Sequence, residues 1–482
     1  MSVPSRVDIA EVVEKHEGVE VLRWFGRLFR GSDAVAGPAQ AQKRTWYPNL
    51  IFIWCALVMM ADGYDNQVIN YAAPAIIQDW GISRAAMAPV LTSSIIGWLI
   101  GSVLFSMLAD RIGRRNAILI AMTELGIFTL AIPYATNLLE LGVLRFLAAL
   151  GIGGAMPLAV ALMAEYSKSK SRGFMITLLF LGYTVGSSGG GFLASYLIPT
   201  FGWQTAFYVG GFAAVVIGLV LFAALPESVR YLVMKGAPAD RILPIVQKLR
   251  PSASYDSSTT FYIEEKKVKG LPVNHLFTDG RAAMTAFLWA AMALAAVTHF
   301  FLSSWLAVLL TPANATSEEL ATAIQIKAIF QFGAAFAFLV GWMLDRYGIP
   351  AVVSVLILAA PPVIALGVVD AGTFLAIAMS SISGILVLGG GIGLNAIAGS
   401  VYPTAVRSTG TGSAFAAARV GAALGPAAGG VLLAAGVSVP MIFVTMAVPH
   451  ILAGVATYMI MKAMTPETAQ LLASKPAMVR GH

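Results

Sequence analysis

Continuous apolar runs of about 20 residues recur along the chain from residue 48 to residue 462, separated by polar connections. At a rise of about 1.5 Å per residue, such a run crosses a hydrocarbon layer about 30 Å thick as an α-helix. A membrane β-barrel would show shorter segments of alternating polarity. We read twelve spans, at 48–74, 87–108, 116–135, 138–162, 174–197, 203–225, 282–310, 321–343, 350–369, 373–398, 409–436 and 439–462. With 58% hydrophobic and only 11% charged residues, the chain falls outside the ordinary soluble classes. The fold class expected is an all-α polytopic membrane protein in contact with lipid.

The basic residues set the orientation. Of 31 Lys and Arg, 27 fall on one side of the twelve spans and only Arg84 on the other. By the positive-inside rule the rich side is cytoplasmic, which places both termini inside. The formal charge of +7 is thus topology and not a nucleic-acid surface. The expected domains are a cytoplasmic tail at 1–46, a six-helix bundle at 47–225, a cytoplasmic linker at 226–281, a second bundle at 282–462 and a tail at 463–482. The first tail opens polar and acidic, unlike a signal peptide, and is expected to be retained. Within it Trp24, Phe25, Leu28 and Phe29 suit either an interfacial amphipathic helix or a plain tail. One cysteine, Cys55, excludes an intrachain disulfide. No P-loop is present, the histidines lack zinc-site spacing, and Gly151 to Gly154 lies inside an apolar span, so no metal, cofactor or enzymatic chemistry is expected. The apolar exterior suits a monomer.

The two halves repeat. At an offset of 235 residues Asp110, Arg111 and Gly113 fall on Asp345, Arg346 and Gly348, Arg172 on Arg407, and Gly186 on Gly421. A parallel six-helix repeat suits a transporter whose halves rock about a central site. Positions serving the scaffold recur in both halves; those serving a substrate or ion need occur in one. Asp110, Arg111, Gly113 and Arg114, with Asp345, Arg346, Gly348, Glu165, Arg172 and Arg407, are the expected gating elements. An aspartate beside a glycine turn can accept backbone hydrogen bonds at an adjoining helix and pair with an arginine. Gly182, Gly186 and Gly190, with Gly421, Gly425 and Gly429, form smooth packing faces.

Charges inside spans without a charged counterpart in the other half are Asp62, Asp65, Glu124, Arg145, Lys327 and Arg419. Charges at that depth are tolerable only when neutralised, paired or facing a polar cavity. Asp62, Asp65 and Glu124 are therefore candidates for proton coupling. Arg145 is expected to pair with Asp62 or Asp65 and Arg419 to meet a substrate carboxylate; the reverse assignment stays open, since either planar guanidinium suits a carboxylate. Tyr64, His299 and Trp305 are further substrate-contact candidates, and Lys327 is expected to snorkel to the interface.

The D-R-x-G-R-R loop, Arg145, the segment from Glu165 to Arg172 and the repeated loop after span eight resemble the major facilitator superfamily over nearly all of 45–465. Within it, Asp62-Gly63-Tyr64-Asp65 and Tyr402 to Gly410, followed by Arg419 and Gly425-Pro426, resemble the aromatic acid:proton symporters. The chain departs from the pattern in having Ser106 where the loop motif opens with glycine and Tyr166 where proline follows the glutamate. The resemblance implies two six-helix pseudo-repeats, a bacterial inner-membrane location, and import of a small aromatic carboxylate with protons. Symport of another organic acid and proton-coupled export are the alternatives.

Overall fold

The computed structural model describes residues 6–15, 45–169, 171–251, 253, 255–256, 259–263, 276–278, 280–370, 372–403 and 406–464. In chain order its elements are β1 (Arg6–Asp8), α1 (Ile9–Glu14), α2 (Tyr47–Trp80), α3 (Arg84–Ile112), α4 (Arg114–Tyr134), α5 (Leu138–Tyr166), α6 (Arg172–Phe201) and α7 (Trp203–Ala224). The linker contributes α8 (Val229–Met234), α9 (Ala239–Leu249) and β2 (Thr260–Tyr262). Then come α10 (Ala282–Leu310), α11 (Ser317–Tyr347), α12 (Ile349–Ala365), α13 (Phe374–Ala398), α14 (Arg407–Ala434) and α15 (Val439–Lys462).

Ten helices among the described residues are long and apolar enough to cross a membrane; the polar-faced α2 and the shorter α12 stand outside that group. α2 passes the expected end at Pro74 and stops only where Gly81, at φ 60°, caps it. Proline removes one backbone donor, and neighbouring helices can hold such an interrupted turn in place.

Small residues decide which helices meet. Gly186 of α6 rests on the Met60 carbonyl of α2, and Gly421 of α14 on the Ala293 carbonyl of α10; a methyl at either glycine would overlap backbone. These two glycines are the pair related by the 235-residue offset. Where α6 meets α2 it relaxes into a π turn at Val185–Gly189, and the Ser187 carbonyl accepts the Tyr71 hydroxyl at 2.8 Å.

The apolar core is divided unevenly. At the end opposite the linker one cluster runs from Val68, Ile76 and Leu91 to Trp305, Leu320 and Ile324, joining the two halves. At the linker end there are two separate clusters, one around Val58, Ile118 and Leu162 and another around Leu288, Val352 and Tyr402. The halves are therefore packed together at one end and separately at the other.

Residues 6–15 are folded against the linker end instead of hanging as a plain tail. β1 pairs in parallel with β2, Arg6 opposite Thr260 and Asp8 opposite Tyr262. Asp8 caps α1, whose Ile9, Val12 and Val13 are buried in the same cluster as Ile242, Val246 and Leu249 of α9. Glu14 accepts the Ser169 amide at 2.9 Å, and that bond holds its carboxyl below the usual range. The amphipathic stretch around Trp24 to Phe29 lies outside the described residues, as does the second tail beyond 464.

Candidate functional site

α2 carries an unusual density of polar side chains for a helix packed among apolar ones. Asp62, Asp65, Gln67 and Asn70 are all buried, Asn66 partly so. The two acids have different surroundings. Asp65 pairs with Arg145 of α5, Nη1 to Oδ2 at 3.0 Å, and its other oxygen accepts the Thr129 hydroxyl of α4 at 2.5 Å. Arg145 also donates through Nη2 to the Asp65 carbonyl at 3.2 Å and through Nε to Ser94 at 3.4 Å. Both partners are essentially inaccessible, so the fork is a closed, desolvated pair. Asp62 is fully buried and neither of its oxygens has a hydrogen-bond partner among the described residues. A buried carboxylate anion in that setting would be very costly.

Between the halves lies a cavity lined by Gln67 and Asn70, Ser94 and Trp98 of α3, Arg145, and Phe300 and Ser303 of α10. The Trp98 and Phe300 rings are 6.3 Å apart and tilted by 33°. Arg419 of α14 stands over the Trp98 ring at 5.3 Å and donates to Ser102 at 2.7 Å; it has no acidic partner among the described residues. An aromatic wall beside an arginine without a counter-charge among the described residues suits a flat anion, for which the cavity, at about 20 Å³, must widen.

Lys327 departs from expectation. It does not snorkel: it is fully buried, donates to Gln67 Oε1 at 2.8 Å and lies 3.6 Å from the centre of the Tyr71 ring. Lysine and glutamine belong to opposite halves, so the contact ties the halves at the end away from the linker. Ser188 to the Ala328 carbonyl at 2.8 Å, Gln78 to the Ala315 carbonyl at 2.9 Å and Arg84 to the Thr311 carbonyl at 2.5 Å join them at the same end.

The other candidates lie elsewhere. Tyr64 donates to the Ala206 carbonyl at 2.8 Å and its ring fills the space between Gly190 and Gly210, away from the cavity lining. Trp305 is buried and donates to the Pro426 carbonyl at 2.9 Å, packing α10 on α14. His299 is partly buried and stacks on Phe300 at 4.8 Å, on the helix that lines the cavity but outside its lining. Glu124 is partly buried on α4, without a hydrogen-bond or ion-pair partner among the described residues, and does not line the cavity.

At the linker end Arg114 is held by Glu165, Nε to Oε1 at 3.0 Å, and more weakly by the exposed Asp110 at 3.5 Å. Glu165 in turn accepts the Ser228 hydroxyl. The acid that caps α4 is Glu227, not Asp110: its Oε1 accepts the Arg115 amide at 3.1 Å and the Ser228 amide at 2.8 Å. Gly113, at φ 97°, turns the chain and leaves room for this carboxylate, which a side chain there would displace. Arg111 is exposed, its carbonyl accepting the Tyr231 hydroxyl at 2.8 Å. Arg172 is exposed near Glu14. In the second half Gly348, at φ 72°, makes the matching turn, Asp345 is exposed without an ion-pair partner among the described residues, and Arg346 lies beside the Trp342 and Tyr347 rings. Arg407 donates to the Tyr402 carbonyl at 3.2 Å. The sequence motif is thus repeated more faithfully than its contacts.

Thr129, Ser94, Ser102 and Glu227 were not among the sequence candidates, and nothing in their local patterns marks them. The run Asn66, Gln67, Asn70 did carry a signal, three amides on one helix face, that the charge comparison passed over.

The sequence profile of the Major Facilitator Superfamily matches residues 55–391. The 4-hydroxybenzoate transporter PcaK of Acinetobacter baylyi is 33% identical over 397 residues, covering 79% of this chain and 83% of that protein. A gallate transporter of Pseudomonas putida is 34% identical over 76% of this chain and 81% of its own length. Among solved structures, the inward open xylose transporter XylE from E. coli aligns with a TM-score of 0.65 at 16% identity, over 89% of this chain and 99% of that one. At that identity the likeness concerns the fold alone. On the profile and the close relatives together, the chain belongs to the major facilitator superfamily, in its aromatic acid transporter family, and is a transporter, not an enzyme.

Proposed function

We propose that the protein imports a small aromatic carboxylate together with protons by alternating access. In this reading twelve spans form two six-helix pseudo-repeats, 47–225 and 282–462, in a bacterial inner membrane, with the linker and both termini in the cytoplasm. The observation that carries it is the unequal compensation of charge around the cavity. Arg145 is neutralised by Asp65, whereas Arg419, over the Trp98 ring, has the Ser102 hydroxyl and no acidic partner among the described residues. A substrate carboxylate at Arg419, with its ring against the tryptophan, supplies the missing charge.

The neutral acid is the form that the surroundings of Asp62 accommodate, which supports a proton carried there while the site is closed to the outside. The core continuous at the far end and divided at the linker end supports an inward-facing state. Deprotonation toward the cytoplasm then makes Asp62 an anion, and the halves rock back once solvent or a cation compensates it. Glu124 lies apart from this route.

The test is uptake into proteoliposomes under an inward proton gradient, with benzoate, 4-hydroxybenzoate, protocatechuate, vanillate and a non-aromatic dicarboxylate offered in turn. Accumulation of an aromatic acid that is abolished in Asp62→Asn, while exchange without a gradient persists, is the expected result. Transport of the dicarboxylate alone would assign a different organic acid, and transport only with the gradient reversed would make the protein an exporter.

A further inference from the structure

Three amides sit on one face of α2 where it borders the cavity, and a buried lysine fixes how they point. In its ammonium form, which the Tyr71 ring centred 3.6 Å away favours, Lys327 has donors and no acceptor, so the Gln67 atom it touches at 2.8 Å is the amide oxygen. Asn70 Nδ2 donates to that same oxygen at 3.2 Å, and the Ser303 hydroxyl is within reach of it at 3.4 Å and of Gln331 Oε1 at 3.5 Å. The Gln67 nitrogen is then turned away and donates to Asn66 Oδ1 at 3.2 Å. Asn70 Nδ2 is further committed to the Asn66 carbonyl at 3.4 Å. The chain of commitments leaves one donor, Asn66 Nδ2, and one acceptor, Asn70 Oδ1, without a hydrogen-bond partner among the described residues. Both residues line the cavity, as does Gln67.

Resting on the aromatic-acid reading above, we propose that Asn66 and Asn70 form a hydroxyl-recognition subsite and that Lys327 is its positioning residue. A phenolic hydroxyl is a donor and an acceptor on one atom, the complement of what the two amides present. Arg419 is outside the cavity lining but lies over the ring of Trp98, which is part of it, so an aromatic acid with a ring hydroxyl would meet a cation through its carboxylate past the tryptophan and the amide pair through its hydroxyl. Without Lys327, Gln67 is free to flip, and the donor and acceptor exposed by its neighbours exchange or blur. A methyl in place of the hydroxyl leaves both amides facing an apolar group, which costs binding.

The experiment measures dissociation constants on purified full-length protein for 3- and 4-hydroxybenzoate and for 3- and 4-methylbenzoate, reading the methyl-to-hydroxyl ratio at each ring position. Two hydrogen bonds correspond to a ratio of about tenfold or more at one position in the wild type. Asn70→Leu and Lys327→Met are each expected to bring that ratio to about one, the second without any direct contact to the hydroxyl. A wild-type ratio near one at both positions overturns the subsite, and needs no variant that must fold. A ratio kept by folded Asn70→Leu does the same, and a ratio kept by folded Lys327→Met overturns the positioning role. Failure of the wild type to bind any aromatic acid removes the proposed function itself, and so is distinct from binding without discrimination.

Discussion

The two halves of the molecule compensate the buried and partly buried cations inside their long helices differently. In the first half Arg145 is locked to Asp65, with Thr129 and Ser94 completing the arrangement. In the second half Lys327 and Arg419 reach across to Gln67 and Ser102, both neutral partners on the first half. A pair neutralised within one half can stay intact while the halves move. A side chain held by neutral groups of the other half must change partners when they part, and Arg419, whose guanidinium does not shed its proton, retains charge to offer a ligand. Internal neutralisation thus marks scaffold, and incomplete neutralisation marks the places where substrate and motion act.

The largest expected effect comes from breaking the closed pair. Asp65→Asn or Arg145→Gln alone strands a buried charge, a loss of about 3–5 kcal/mol. Either single variant should fall to background uptake with a lowered melting temperature, and the double variant should recover stability without recovering transport. If both singles melted like the wild type, the pair would not be the scaffold described. Next is Arg419→Gln, expected to weaken aromatic-acid binding by about 10- to 100-fold, as for loss of a charge-assisted hydrogen bond, with little change in melting. Gly421→Val follows; it should push α14 off α10 at a cost of about 1–3 kcal/mol and slow transport more than it weakens binding. A normal turnover rate would show that this close approach is dispensable.

The smallest effect concerns the strap at the linker end. Because the Ser169 amide lowers the Glu14 carboxyl, its contribution is fully present above the ordinary value of 4.5 and is lost as pH falls through the lowered one. Glu14→Gln should therefore lower the protection of the Ser169 amide, measured against its intrinsic exchange rate, at neutral pH and remove the further loss of protection that acid causes in the wild type. Unchanged exchange would mean that α1 docks through Ile9, Val12 and Val13 alone.

The membrane class was legible because a run of about 20 apolar residues has few other solutions, and the family because several motifs sit at fixed spacing. Arg145 meeting one of the α2 acids was legible from charge depth, but which acid was not. Asp62 and Asp65 share a helix face to within one turn, and only the packing of α4 and α5 puts Thr129 and Arg145 beside the second. Lys327 was misjudged for a related reason. Distance along a helix from the lipid interface does not say whether the residue faces lipid or the other half, and here it faces Gln67. As aromatic side chains able to stack on a flat substrate, Tyr64 and Trp305 are candidates in the sequence; their polar ends instead satisfy the Ala206 and Pro426 carbonyls. Asp110 adjoins the turn and is therefore the cap that the sequence suggests for α4, whereas the space left by Gly113 is filled from more than a hundred residues away by Glu227.

The contrast between closed and open cations is tested most directly by comparing 4-hydroxybenzoate with its neutral amide, 4-hydroxybenzamide, for binding to the wild type, to Arg419→Gln and to the Asp65→Asn, Arg145→Gln double variant. The preference for the acid over the amide is expected to disappear in Arg419→Gln and to survive in the double variant. Loss of that preference in the double variant, with Arg419→Gln still favouring the acid, would place the substrate carboxylate on Arg145 and contradict the assignment.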